Sequence, residues 1–487
     1  MWLQKIEQWA NRLPHPMALF IYLCVVLWVL SWWGSVAGWS AQHPVSQDVL
    51  TVRSLLSESG WVYMLTNLVK NFMSFAPVGP VIMVALAFSL AERSGLLPAL
   101  INGAARKAPD WMLPVTVAFL GVMSSIAVDS GYVVLLPLCA AMFYAAGRHP
   151  LAGLALGFAC VSGGFSANLM VGPVDAMLAG ITTEALSMVS EGSVSVLSNY
   201  YFMVASVPLI VVVTVFVNHK WVEPYLNKSS QVDGGEGLQQ MPPSVAWGAW
   251  FWLSLLLIVI AWCVLTLPEQ AWLRHPDTGS LVKGPFMGAL VAMIAVSVAL
   301  LSTVFGRVNN TLKGWKDWVS ALEQGVKDLA PYLVLMFVVA QFVAWFKWSG
   351  LGPILAVHLA GIMESWELSS VGALLAILIF TAFLNLFIGS ASAKWGLLAP
   401  VLVPAFYLLG VPAEAVQGAY RVADSSTNII TPLMPYFPLV LAFALKYDAQ
   451  VGVGRILTMM LPYALSLLVA WGALLGVWLV FEIPFGP

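Results

Sequence analysis

Charge is the scarcest thing in this sequence: 21 Lys/Arg and 23 Asp/Glu make up 9% of its 487 residues. A soluble domain carries about 25% charged residues, so this composition excludes one. There is no basic cluster, and a net charge of −2 offers nucleic acid nothing to hold. Cysteine is rare as well. Cys24, Cys139, Cys160 and Cys263 all lie in apolar stretches without metal-like spacing, and they read as small core hydrophobes. The chain also lacks H-E-x-x-H, G-x-S-x-G, a P-loop and any Cys/His cluster. An intramembrane hydrolase would have neither a nucleophile nor a metal, so neither enzymatic activity nor an organic cofactor is expected.

Apolar sequence fills the space. With 60% hydrophobic residues in repeated runs of about 20, the chain reads as an all-α polytopic membrane protein. Residues 1–16 are amphipathic, with Trp2, Ile6, Trp9 and Leu13 on one side, and read as an interfacial helix retained ahead of the first span, 17–39. Segment 41–59 is a polar loop, and 61–75, with Asn67, Lys70 and Asn71, is too polar to span comfortably. Further spans are expected at 77–96, 201–217, 246–267, 285–305, 330–348 and 456–481, with a hydrophilic linker at 218–243.

Three stretches are apolar but interrupted. Residues 111–144 break at Ser124-Ser125 and Asp129-Ser130-Gly131, leaving arms half a bilayer long, so a re-entrant hairpin fits better than two spans. Segment 371–409 repeats that pattern around Gly389-Ser390-Ala391-Ser392-Ala393-Lys394. Residues 150–181 break at Ser162 to Asn168, and 411–445 break at Ser425-Ser426-Thr427-Asn428, whose side chains compete for backbone hydrogen bonds.

The pattern occurs twice. Ser94-Gly95-Leu96-Leu97-Pro98 after one span is echoed by Ser349-Gly350-Leu351-Gly352-Pro353 after another, and each is followed by a hairpin and a broken helix. Lys and Arg concentrate on one side of this map, with Arg53, Arg274, Lys283 and Lys347 on the other. The positive-inside bias then supports nine transmembrane helices plus two re-entrant hairpins, arranged as an inverted repeat with broken helices. The expected division is 1–60 (interfacial helix and first scaffold span), 61–181 (repeat 1), 182–305 (scaffold spans and cytoplasmic linker), 306–445 (repeat 2) and 446–487 (last scaffold span).

Charges at membrane depth persist where they pair or line a pathway. Arg421 and Asp424, three apart and sharing a helix face beside a helix break, read as an ion or proton site next to an anion-binding arginine, against the plain alternative of a buried ion pair holding two helices together. Asn168, Asn385, Ser390, Ser392 and Asn428 supply side-chain oxygens suited to Na⁺, with Asn385, Ser390, Asp424 and Asn428 as its candidate ligands. Asp175, beside Pro173, reads as lining the pathway; Asp129 serves there or as a cap. Lys394 is open between a ligand and a snorkelling residue. Trp395 is positioned to stack on an aromatic solute, against the plain alternative of packing.

Asn11-Arg12-Leu13-Pro14-His15-Pro16, Ser59-Gly60-Trp61-Val62-Tyr63, Ala127 to Val134, Gly147 to Gly153, Ser162 to Leu169 and Tyr420 to Asn428 together resemble the aminobenzoyl-glutamate transporter (AbgT) family, over nearly the whole length. The resemblance is to bacterial inner-membrane exporters of p-aminobenzoate-type antimetabolites, the sulfonamides. It implies a homodimer with a path through each protomer and Na⁺ or proton coupling, and it places Asp175, Asn385, Trp395, Arg421 and Asp424 at site positions. The family's Ser-Asn hairpin tips correspond to Ser124-Ser125, which has no asparagine, and Ser390-Ala391-Ser392. The expected function is cation-coupled export of such aromatic carboxylates or sulfonamides. Import of p-aminobenzoyl-glutamate or of a dicarboxylate is the rival; a passive channel or an intramembrane enzyme ranks lower.

Overall fold

The computed structural model describes residues 16–42, 49–76, 78–100, 112–124, 132, 135–229, 247–281, 285–365, 369–386, 388–431, 434 and 436–487. The expected interfacial helix at 1–16, most of the first hairpin's tip with Asp129, and most of the linker lie outside the described residues.

Helices dominate, and the one sheet among the described residues is a two-stranded hairpin. It pairs Ser40–Gln42 with Val49–Thr51, within the loop expected after the first span. Among the described residues eight helices are long and apolar enough to cross a membrane, or nine if the pair Leu351–Ser365 and Ser370–Asn385, bent by 117°, counts as one. Shorter apolar helices, Leu113–Met123 and Leu136–Ala145, form the first hairpin's arms, and Ser370–Asn385 with Ala391–Leu408 forms the second. The chain is therefore the all-α polytopic membrane protein with hairpins and broken helices that hydropathy implies, because in lipid each backbone amide must be satisfied within its own segment.

The polarity gradient runs opposite to that of a soluble protein. In Ala413–Asn428, the helix carrying Gln417, Arg421 and Asp424, every residue but Glu414 is buried. In the strongly apolar Ala249–Thr266 only Phe251 is buried, and Trp250, Leu256 and Ile260 point outward. Apolar surface is at no disadvantage against lipid, whereas a charge needs protein partners.

The two turns matched in sequence share one geometry. Gly95 and Gly350 have φ of +83° and +78°, a left-handed conformation that glycine adopts without a Cβ clash. Ser94 Oγ donates to Ala91 O (3.1 Å) and accepts from Leu96 N; Ser349 Oγ likewise donates to Phe346 O (3.1 Å) and accepts from Leu351 N.

Four expectations change. Ala413–Asn428 is helical throughout, and its interruption falls after Asn428, before Phe437–Leu445. The polar run does not unwind it because Thr427 Oγ1 bonds back to Ala423 O at 2.7 Å and Asn385 of the second hairpin caps the rest. The span expected at 330–348 is the last part of a 34-residue helix, Trp315–Trp348, whose first turns are amphipathic and escape a hydropathy window. Leu351–Ser365 was not expected as a helix at all; at 15 residues it is too short to read as a span. The linker expected from 218 opens as helix, since Tyr200–Val217 runs on through a π-turn, Asn218–Val222, into Glu223–Ser229.

Close packing of hairpin 1 on Pro150–Gly163, all of whose residues are buried, depends on small side chains. A Cβ at Gly153 would stand 2.4 Å from the Cys139 carbonyl oxygen. Gly153→Ala should therefore lower stability by about 1–3 kcal/mol through overpacking. Gly476→Ala, where no atom lies within 4 Å, should leave the melting temperature of detergent-purified protein unchanged. Equal melting temperatures for both variants would refute the close contact.

Candidate transport site

The site is built around one helix. Gln417, Arg421, Asp424 and Asn428 fall at i, i+4, i+7 and i+11, one polar stripe along Ala413–Asn428. A stripe this polar in an otherwise apolar setting must meet polar partners, and it meets them on three different elements.

Arg421 turns to the first broken helix. Its Nη1 donates to Asp175 Oδ1 at 2.7 Å and to Ser166 O at 3.3 Å. Asp175 is the third residue of Pro173–Leu186, so its other oxygen caps the helix by accepting from Gly172 N at 2.8 Å. That oxygen also accepts from Asn168 Nδ2 at 3.3 Å. Arg421 is 1% exposed, Asp175 5% and Asn168 4%.

Asp424 turns instead to the second hairpin. Its Oδ1 pairs with Lys394 Nζ, which also donates to Asn385 Oδ1. The Asn385 amide donates to Asp424 O (2.6 Å) and Thr427 Oγ1 (2.8 Å), tying the hairpin to the helix. Lys394 and Asp424 are each 1% exposed.

The expected Arg421–Asp424 pair is therefore not formed. Each residue has its own buried partner, and the two ion pairs face different elements. Three residues on a helix leave side chains about 60° apart, and with protein on both sides each side chain follows the nearer opposite charge. Lys394 accordingly holds a buried pair and does not snorkel.

Trp395 is fully buried, and its ring stacks on Tyr420 at 4.5 Å between centroids, tilted 30°. Its Nε1 donates to Thr182 Oγ1 (2.9 Å), which also accepts from Gln417 Nε2 (2.6 Å); Gln417 Oε1 accepts from Asn199 Nδ2 (2.6 Å). Thr182, Gln417, Asn199 and Tyr420 escaped the sequence reading, although the polar stripe through Arg421 already pointed to Gln417. Trp395→Ala should cost roughly 3–5 kcal/mol, as large aromatic deletions in cores do. Trp395→Phe keeps the ring on Tyr420 and should lose only about 1 kcal/mol with the hydrogen bond. Thermal unfolding of the purified variants checks both values, and indistinguishable losses would overturn the stack.

The remaining candidates divide. Ser390 caps Ala391–Leu408 by accepting from Ala393 N and lies 3.2 Å from Ser392 Oγ. Asn428 ends the central helix, and its Oδ1 has no hydrogen-bond partner among the described residues; neither have Ser425 Oγ, Ser426 Oγ and Asp424 Oδ2. Of the four expected Na⁺ ligands, Asn385 and Asp424 converge, but on the Lys394 ammonium. Among the described residues no three His, Cys, Asp or Glu side chains group as a metal site.

Buried charges on a helix held between the second hairpin and another interrupted helix define a polytopic membrane transport protein. The particular kind follows from comparison: the profile of the AbgT putative transporter family matches residues 1–487, and the chain belongs to that family. The Escherichia coli (strain K12) p-aminobenzoyl-glutamate transport protein is 36% identical over 484 residues, covering 99% of this chain and 95% of that one. Two solved structures are similar. The Alcanivorax borkumensis YdaH transporter, described as having an unusual topology, superposes with a TM-score of 0.94 at 45% identity, covering 97% of this chain and 100% of that one. Neisseria gonorrhoeae MtrF, described as illuminating a class of antimetabolite efflux pumps, superposes at 0.91 and 38% identity, covering 98% and 97%.

Proposed function

We propose that this chain is a cation-coupled secondary transporter of the bacterial inner membrane, working as a homodimer and exporting p-aminobenzoate-like antimetabolites such as sulfonamides. The observation that carries the reading is the pair of buried ion pairs held by one helix. A substrate carboxylate or sulfonamide anion competes with Asp175 for Arg421. A proton or Na⁺ competes with Lys394 for Asp424, and Na⁺ would take Asn385 Oδ1 as a further ligand. In each exchange the incoming ion takes over one buried partner, and the displaced group keeps its hydrogen bonds, Asp175 to Gly172 N and Asn168 Nδ2 and Lys394 to Asn385 Oδ1, which offset part of the roughly 3–5 kcal/mol that an abandoned buried charge costs.

The two exchanges release different elements from the shared helix: Pro173–Leu186 when Asp175 lets go, and Ala391–Leu408 when Lys394 does. A rigid helix gripped from two sides thus links substrate occupancy to cation occupancy, each ligand acting through its differential affinity for the two arrangements. Such a device moves its substrate chemically unchanged. The name of the E. coli relative, a p-aminobenzoyl-glutamate transport protein, favours that solute as cargo of the same site, and its import is the second reading.

Proteoliposome flux of labelled p-aminobenzoate, a sulfonamide and p-aminobenzoyl-glutamate under imposed proton or Na⁺ gradients tests all of this. Accumulation against the concentration gradient that reverses when the cation gradient is reversed is expected. Flux indifferent to both cations would mark a passive channel, and recovery of a chemically altered label would mark an enzyme.

A further inference from the structure

Away from the buried ion pairs, a cavity of about 500 Å³ opens among the ends of several helices, a size that suits a drug-sized ligand. Arg53 and Lys347 both line it, both are exposed, and neither forms an ion pair with a carboxylate among the described residues. Lys347 donates to Ser187 Oγ at 3.0 Å. Arg53 is held in place: its guanidinium lies 4.6 Å from the centroid of Trp348, and Trp348 stacks on Tyr63 at 5.0 Å and 14°. A guanidinium braced in this way is pre-organised for a carboxylate. Phe75 and Met188 add an apolar wall, and Glu184 supplies the cavity's one carboxylate.

The cavity adjoins the transport site. Glu184 lies on Pro173–Leu186, nine residues beyond Asp175, which puts the two about 14 Å apart along the helix axis. Thr182, the residue that receives Trp395 Nε1, is two positions before Glu184. By the Lys/Arg distribution, this mouth opens on the outer face.

We infer that this cavity is a second, outward-facing anion site that takes an aromatic solute bearing two carboxylates, with Arg53 and Lys347 each meeting one and Phe75 and Met188 lying against its apolar body. The ligand class rests on the function proposed above; the site itself does not. Arg53 and Lys347 give a dianion two separate cationic anchors, whereas a monoanion engages only one of them, and the Glu184 carboxylate opposes both ligands.

Equilibrium binding of labelled p-aminobenzoyl-glutamate and of p-aminobenzoate to the purified full-length protein separates the cases. With Asp175→Ala and Arg421→Ala combined, which removes the cation that the substrate meets at the central site, dianion binding should persist. Arg53→Gln or Lys347→Gln there should each weaken it about tenfold, as losing a charged partner does. The monocarboxylate should change less than about threefold in the same variants. Glu184→Gln removes a repulsive charge and should tighten dianion binding severalfold, a gain that a purely structural role would not produce. Loss of dianion binding with Asp175→Ala and Arg421→Ala alone, equal losses for both ligands, or no binding to the wild type would overturn the site. Binding that behaves as expected in a protein without gradient-driven flux would leave the site standing and remove the transport reading instead.

Discussion

Asp424→Asn is expected to reach the membrane in normal amounts and to carry no gradient-driven flux. Asparagine keeps the side chain's shape and one acceptor oxygen while removing both charge and titration. Lys394 is left facing two amides, its own Asn385 and the new one, and keeps a hydrogen-bond acceptor on each. The fold therefore loses less than the roughly 3–5 kcal/mol expected when a buried charge is abandoned. Coupling has no such escape, because a neutral amide cannot exchange an ammonium for a proton or Na⁺. Flux per folded protein under a proton or Na⁺ gradient is the measurement, with melting temperature followed alongside. Normal flux in this variant would make the Lys394–Asp424 pair scaffolding and move the coupling site elsewhere.

The second large effect is a pattern of non-additivity. Asp175→Ala strands Arg421 and should cost roughly 3–5 kcal/mol, and Arg421→Ala should cost about as much by stranding Asp175. Removing both should recover most of that loss, giving a coupling energy above about 3 kcal/mol, larger than most double-mutant cycles yield. Lys394→Ala with Asp424→Ala should behave in the same way. Arg421→Ala with Asp424→Ala, by contrast, should be nearly additive, because neither residue is the other's partner. Flux should stay absent in all three double variants even where stability returns. Thermal unfolding across the three cycles checks the pattern; strong coupling between Arg421 and Asp424 would mean that the charges are paired along the helix after all.

That cycle also marks where sequence stops informing. From the chain alone, Asp424 is the acid nearest to Arg421 on its helix. The actual partner, Asp175, is 246 residues away in sequence. No periodicity can report a contact of that range, because it is created by packing two interrupted helices side by side. The same holds for Trp395, whose ring meets Tyr420 across two helices, and for the Na⁺ ligand set, where Lys394 stands between Asn385 and Asp424.

What the sequence determined by itself was everything that the bilayer enforces segment by segment. A helix in lipid must satisfy its own backbone, so apolar runs mark spans, short ones mark hairpin arms, and polar interruptions mark places where protein replaces lipid. The duplicated Ser-Gly-Leu turn was legible because a left-handed glycine followed by a helix start is a local requirement, met alike at Gly95 and Gly350. Tertiary structure decided whether a polar run unwinds its helix and which buried charge answers which. Ser425 to Asn428 stay helical because Asn385 reaches them from another hairpin. Arg421 and Asp424 part company because a fully buried helix has neighbours on every side, and electrostatics at short range follows distance in space.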